Sequence, residues 1–194
     1  MTIEFDAALK GNRSLYFAYG SNMNKEHMLE RCPNAIPIRP LELPDWELCF
    51  RFVADIQPNE GESVYGALWS ITPECIKTLD TYEGFKESGK GLYKKLELKV
   101  PKCRGYSMMV YWMDSELLYP PEETYLESIA QGYMDFGYNP TTVLSIAEAS
   151  RDQISSYIPN IPFDIDYHDY EEQKDYESWW KDQNNVVQLK NCIT

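Results

Sequence analysis

A chain of 194 residues with 43% hydrophobic and 14% aromatic side chains is long enough to bury a substantial core and too apolar to be disordered. A net charge of -13 opposes nucleic-acid phosphates, which excludes a general nucleic-acid binder, and no run of about 18 apolar residues provides a membrane-spanning helix. The five cysteines (Cys32, Cys49, Cys75, Cys103 and Cys192) are scattered, odd in number and without a C-x-x-C, the pattern of reduced thiols rather than a disulfide framework or zinc site. The opening MTIEFDAALKGNR lacks a basic-then-apolar signal, so a cytoplasmic protein is expected, with neither nucleic acid nor membrane as partner.

In chain order, a short polar leader precedes a buried strand from Ser14 to Tyr19, and NKEHMLERC reads as a short helix after it. WELCFRFVADI and SVYGALWSI, rich in aromatic and β-branched residues, read as strands. Thr72-Pro73 opens a helix, with Thr72 as N-cap and Pro73 at its first position, and Gly84 stops it. LYKKLELKV alternates with period two, and YSMMVYWM is a further strand. Pro120-Pro121 starts a helix through about Phe136, and Asn139-Pro140 caps another through about Tyr157. Strict βαβ alternation is absent, which favours a mixed α+β or barrel-like domain over a doubly wound sheet. From about Asn160 the chain turns acidic and aromatic (DIDYHDYEEQKDYESWWKDQ), and is read as an extension to a domain of residues 1–159.

Two stretches carry chemistry. In YFAYGSNM a strand ends on Gly20 and feeds a helix, which gathers unpaired backbone N–H groups at one spot. Gly20 permits a positive φ and close approach of a ligand, and Ser21, Asn22 or Asn24 can cap the helix. Spacing alone does not separate an anion cradle from a plain strand-to-helix turn, and a P-loop is absent. In LDTYEGF, Glu83 stands at a helix C-terminus between Tyr82 and Phe85. The negative end of the helix dipole, worth about 0.3–1 kcal/mol, and desolvation both oppose its charged form and move it towards a useful general base; an ordinary surface glutamate fits the pattern as well. His27 and His168 lie too far apart for a histidine-rich zinc site. Asp164, Asp166 and His168 have EF-hand-like spacing, but Asp169 stands where the glycine is required.

YFAYGSNM, NEGESVYGALWSIT, LDTYEGFKESGKGLY, MVYWM and PPEETYLESIAQGY, in this order from about Ser14 to Gly132, together resemble the γ-glutamylcyclotransferase family of the AIG2-like/BtrG-like superfamily. FKESGKGLY is longer than the usual loop, and the acidic extension has no counterpart. The resemblance implies an α+β fold, a small mixed-sheet β-barrel with flanking helices, and an enzyme that converts a γ-glutamyl compound to 5-oxoproline and a free amine. It implies that Glu83 is the catalytic glutamate, and that Tyr16, Phe17, Ala18, Tyr19, Gly20, Ser21 and Asn22 line the substrate pocket with the turn's backbone amides. Tyr93, Tyr111 and Tyr125 match tyrosines near the site, where core packing would equally use them. No cofactor or metal is implied, the partner is a small γ-glutamyl molecule, and a homodimer is compatible with it. The leaving group stays open between an amino acid or peptide, a γ-glutamylamine and a tagged natural product. A non-catalytic module whose DYESWWKDQ segment docks on a partner is the remaining alternative.

Overall fold

The computed structural model describes residues 2–115 and 118–157. The acidic aromatic segment from residue 160, with Cys192 and the EF-hand-like spacing, lies outside the described residues. Residues 1–152 form one compact unit, and everything that positions the site belongs to it.

Among the described residues, five helices and five strands follow in the order α1 (Thr2–Ala8), β1 (Ser14–Ala18), a 3-10 turn (Ser21–Met23), α2 (Lys25–Arg31), β2 (Ile36–Arg51), β3 (Val53–Ile71), α3 (Pro73–Tyr82), β4 (Lys94–Lys99), β5 (Ser107–Trp112), α4 (Glu123–Asp135) and α5 (Thr141–Tyr157). The leader is not merely polar: α1 anchors through Phe5, which is fully buried with its ring 5.0 Å from that of Tyr106.

The strands form one mixed sheet in the order β2-β3-β1-β5-β4. β1 is antiparallel to β3 and parallel to β5. The mixed α+β class is as expected, whereas the sheet is open rather than a closed barrel, because β2 and β4 stand at opposite edges. Each edge has its own protection. β2 tolerates Pro37, Pro40 and Pro44 because one side of it faces no strand among the described residues, and β4 presents Lys94, Lys95 and Lys99. None of the described helices is long and apolar enough to cross a membrane.

β2 and β3 form a long hairpin, and its tip corrects the sequence reading. WELCFRFVADI is not one strand: Phe52, at φ 68°, turns the chain so that Arg51 pairs with Val53 and Phe50 with Ala54. Phe52 stacks on Tyr119 with ring centroids 3.8 Å apart, and backbone bonds from Phe52 to Tyr119 and from Tyr119 to Phe50 hold the tip. Arg51 and Asp55, both buried, pair at 2.7 Å beside it, and Asp55 also accepts the Met113 backbone N–H at 2.9 Å. The tip is thereby fixed where Ala54 meets the site.

Helix α4 is seated on the 3-10 turn. A side chain at Gly132 would lie 2.6 Å from the Met23 Cβ and 2.7 Å from the Asn24 nitrogen, so only glycine allows this contact. The Lys25 ammonium donates to the Asp135 carbonyl at the end of α4 (2.7 Å), and the Lys25 backbone N–H to the Asp135 carboxylate (2.8 Å). A cation at a helix C-terminus is also favoured by the dipole. Between sheet and helices lies a core of fully buried Phe17, Phe50, Leu68, Trp69, Tyr111 and Tyr133.

Candidate active site

The turn after β1 is built by packing rather than by an unusual φ. Gly20 has φ −109° and ψ −144°, so the positive φ that glycine permits is not used. Glycine is favoured by proximity: a Cβ there would lie 3.1 Å from both the Ala54 Cβ and the Tyr125 hydroxyl, so both neighbours would have to give by a few tenths of an ångström. The chain then makes one turn of 3-10 helix before α2, instead of entering α2 directly. The cap of α2 is Asn24, whose side chain accepts the His27 N–H at 3.1 Å. Ser21 and Asn22 open the 3-10 turn, and the Ser21 N–H faces the Tyr125 hydroxyl. Both residues are buried.

Opposite the turn, α3 ends as its sequence dictates. Thr72 caps the start, Pro73 takes the first position, and Gly84, at φ 60°, breaks the helix in the left-handed conformation. Glu83 is the residue between, its N–H bonded to the Leu79 carbonyl at 2.8 Å. The residue as a whole is partly exposed, but its carboxylate points inward and accepts the Asn22 Nδ2 at 2.8 Å. Burial raises the Glu83 pKa to about 7, against the pull of the Arg31 charge and the Asn22 hydrogen bond.

Asn22 is shared three ways. Its Nδ2 also donates to the Tyr16 hydroxyl (3.1 Å), and its Oδ1 accepts Nη1 of Arg31 (3.1 Å). Arg31 lies over the Tyr82 ring at 3.9 Å and donates Nη2 to the Tyr82 hydroxyl at 2.9 Å, with the Ser21 hydroxyl 3.1 Å from that same oxygen.

Tyrosines form the remaining wall. The Tyr125 hydroxyl accepts the Ala54 N–H (3.0 Å), and the Tyr93 hydroxyl donates to the Ala54 carbonyl (2.6 Å). Tyr19 donates to the Tyr111 carbonyl (2.7 Å), and Tyr111 to Asp80 (2.6 Å), which is paired with Lys95. The Tyr111 ring meets those of Tyr16 and Tyr93 edge-on at 5.9 and 6.4 Å. Burial above all pushes the pKa values of Tyr16, Tyr19, Tyr93, Tyr111 and Tyr125 upwards, with the Glu83 charge adding to each and the hydrogen bond to Asp80 adding to Tyr111. These phenols therefore stay neutral and able to donate.

Tyr16, Gly20, Ser21, Asn22 and Tyr125 thus meet around Glu83, with Tyr19, Tyr93 and Tyr111 bracing them. Phe17 and Ala18 are not brought to Glu83 by any contact described: they pair in the sheet with Leu68 and Ala67. The Phe17 ring itself fills the place where Gly66 has no side chain, 2.4 Å from a would-be Cβ. Sequence reasoning missed Arg31, Asp80 and Ala54. Asp80 had a signal, lying three residues before Glu83 on one helical face. Arg31 and Ala54 had none, since tertiary packing alone brings them in.

Comparison with known proteins gives the family. Residues 16–133 match the family model described as gamma-glutamyl cyclotransferase, AIG2-like. The mouse protein named gamma-glutamylcyclotransferase is 32% identical over 153 residues, covering 69% of this chain and 77% of its own length. The human protein of that name is 31% identical over 142 residues, covering 63% and 71%. The crystal structure of an uncharacterized human protein superposes with a TM-score of 0.60 at 25% identity, covering 74% of this chain and 98% of that one. A structure named gamma-glutamyl cyclotransferase shares the fold with a TM-score of 0.58 at 22% identity, covering 75% and 99%. The matched segment runs from β1 through α4 and so contains the turn, Glu83 and Tyr125: the chain belongs to the AIG2-like gamma-glutamyl cyclotransferase family.

Proposed function

We propose that this protein is a γ-glutamylcyclotransferase in which Glu83 is the general acid and base. The observation that carries the reading is a desolvated carboxylate with a pKa raised to about 7, aimed at the buried Tyr16–Asn22 segment. A group that titrates near neutral pH can both take and return a proton.

The chemistry needs little else. The α-amine of a γ-glutamyl amide is its own nucleophile, but at neutral pH it is an ammonium. Glu83 removes the proton, the nitrogen attacks the γ-carbonyl, and a C–N bond closes a five-membered lactam. As the old amide C–N bond breaks, Glu83 returns that proton to the departing nitrogen, and the second proton that the attacking nitrogen sheds on becoming the lactam N–H passes to the released amine, which leaves as an ammonium. The products are 5-oxoproline and the free amine, and Glu83 ends as the carboxylate it began as. Holding the substrate folded, so that amine meets carbonyl, supplies proximity. Oxyanion charge is met by the Tyr125 O–H, whose oxygen already faces the Ala54 and Ser21 N–H groups and whose hydrogen is left to donate, together with the Asn22 N–H of the 3-10 turn.

The test is a mass-spectrometric screen of γ-glutamyl amino acids, peptides and amines for 5-oxoproline release. Release from one class names the leaving group, and release from none rejects the reading.

A further inference from the structure

We propose that Arg31 is a positioning residue of this site: it fixes the orientation of the Asn22 amide so that Asn22 donates to Glu83, and its charge faces the carboxylate that does the chemistry. The inference rests on Glu83 being the proton carrier, but it concerns how α2 prepares that carboxylate.

An asparagine amide has two orientations that differ only by exchange of its oxygen and nitrogen. Here Oδ1 accepts from Arg31 at 3.1 Å while Nδ2 donates to Glu83 at 2.8 Å and to Tyr16 at 3.1 Å. Flipping the amide would put a donor against the guanidinium and an acceptor against the carboxylate, so both contacts would become repulsive. The Arg31 contact therefore decides which end of Asn22 Glu83 meets. A planar guanidinium is suited to this: one nitrogen serves Asn22, another the Tyr82 hydroxyl at 2.9 Å, while the plane lies over the Tyr82 ring at 3.9 Å. Tyr82 in turn is adjacent to Glu83 on the chain, so the clamp closes on α3 itself.

The surrounding groups leave Arg31 without competition. Those facing Glu83 are Tyr16 and Tyr19 from β1, Tyr93 ahead of β4, Tyr111 from β5, Tyr125 from α4 and Tyr82 beside it. Burial holds the first five neutral. Asp80 is matched by Lys95 at 2.6 Å, and Asp55 by Arg51 at 2.7 Å. Among the described residues, Arg31 is the cation that acts on Glu83.

The experiment compares the full-length chain with Arg31→Met, which keeps an apolar stem over Tyr82, and Arg31→Lys, which keeps charge without the fork. Two readouts are taken: the carboxyl carbon resonance of Glu83 followed through pH, assigned by its loss in Glu83→Gln, and the acid limb of kcat/KM against pH. Arg31→Met is expected to move both midpoints to higher pH by about one unit, with turnover falling about fivefold at neutrality and recovering above the new midpoint. Arg31→Lys is expected to keep the midpoint closer to its original value but to alter the Asn22 side-chain amide signals, since one ammonium cannot hold both Asn22 and Tyr82. An unchanged Glu83 midpoint in folded Arg31→Met overturns the proposal. Should that variant not fold, unchanged Asn22 amide signals in Arg31→Lys overturn it instead. The resonance needs no substrate, so absence of 5-oxoproline from the parent chain would reject the catalytic reading and leave this measurement decisive for Arg31.

Discussion

A carboxylate made useful by burial destabilises the protein that buries it, and Glu83 allows that trade to be measured. Its pKa stands at about 7 in the folded chain against an ordinary value of 4.5. Each pH unit between the two corresponds to about 1.4 kcal/mol, so ionising Glu83 costs the folded state about 3 kcal/mol. Because the raised pKa means that the folded form holds the proton longer than the unfolded form, stability declines as pH rises from 4.5 through 7 and is flat beyond. Glu83→Gln keeps the shape and an acceptor for Asn22 but cannot ionise. Chemical denaturation of both chains at pH 5.5 and 8.5 isolates the effect: the stability of the variant relative to the parent should rise by about 2 kcal/mol between these pH values. Asp55, whose pKa burial also raises, contributes equally to both chains and drops out of the comparison. A variant whose relative stability stays constant with pH would refute the reasoning, since Glu83 would then titrate like an exposed glutamate.

Other perturbations follow from the same contacts. Gly20→Val should raise KM and lower the melting temperature, because even a Cβ at 3.1 Å from Ala54 and Tyr125 crowds the turn; steady-state kinetics and calorimetry together read this, and unchanged affinity would make it a turn and nothing more. Tyr125→Phe deprives the Ala54 N–H of its acceptor at a cost of about 1–3 kcal/mol and removes a donor from the site; a fall in kcat alongside lost stability is expected, and retention of both would remove Tyr125 from the account. Truncation after Pro159, at the domain limit proposed from composition, should leave turnover intact while changing solubility or self-association by light scattering; a folded, monodisperse but inactive product would place the extension in the active site.

The sequence carried the site further than it carried the sheet. Helix α3 was legible end to end, because Thr72, Pro73 and Gly84 each act locally on the backbone. The turn at Gly20 was legible as a turn, but the reason for its glycine was not: Ala54 and Tyr125 lie 34 and 105 residues further on, and only folding brings them near. β2 begins ten residues before Trp46, since an edge strand admits Pro37, Pro40 and Pro44, and only the sheet order shows that it is an edge. Phe52 escaped notice for the opposite reason, being a strand-favouring residue forced to a positive φ by the hairpin tip and its stacking on Tyr119. Arg31 carried no signal at all. Its role exists only because α2 places it between Asn22 and Tyr82.

The central claim, that Glu83 moves the proton, is tested most directly by 5-oxoproline release from the parent chain and from Glu83→Gln. Both are assayed at equal concentration on the best γ-glutamyl substrate of the screen, with folding checked by circular dichroism. The account predicts at least about a hundredfold loss of turnover in a folded variant, the usual worth of general acid–base catalysis. Near-normal 5-oxoproline production by Glu83→Gln would contradict it.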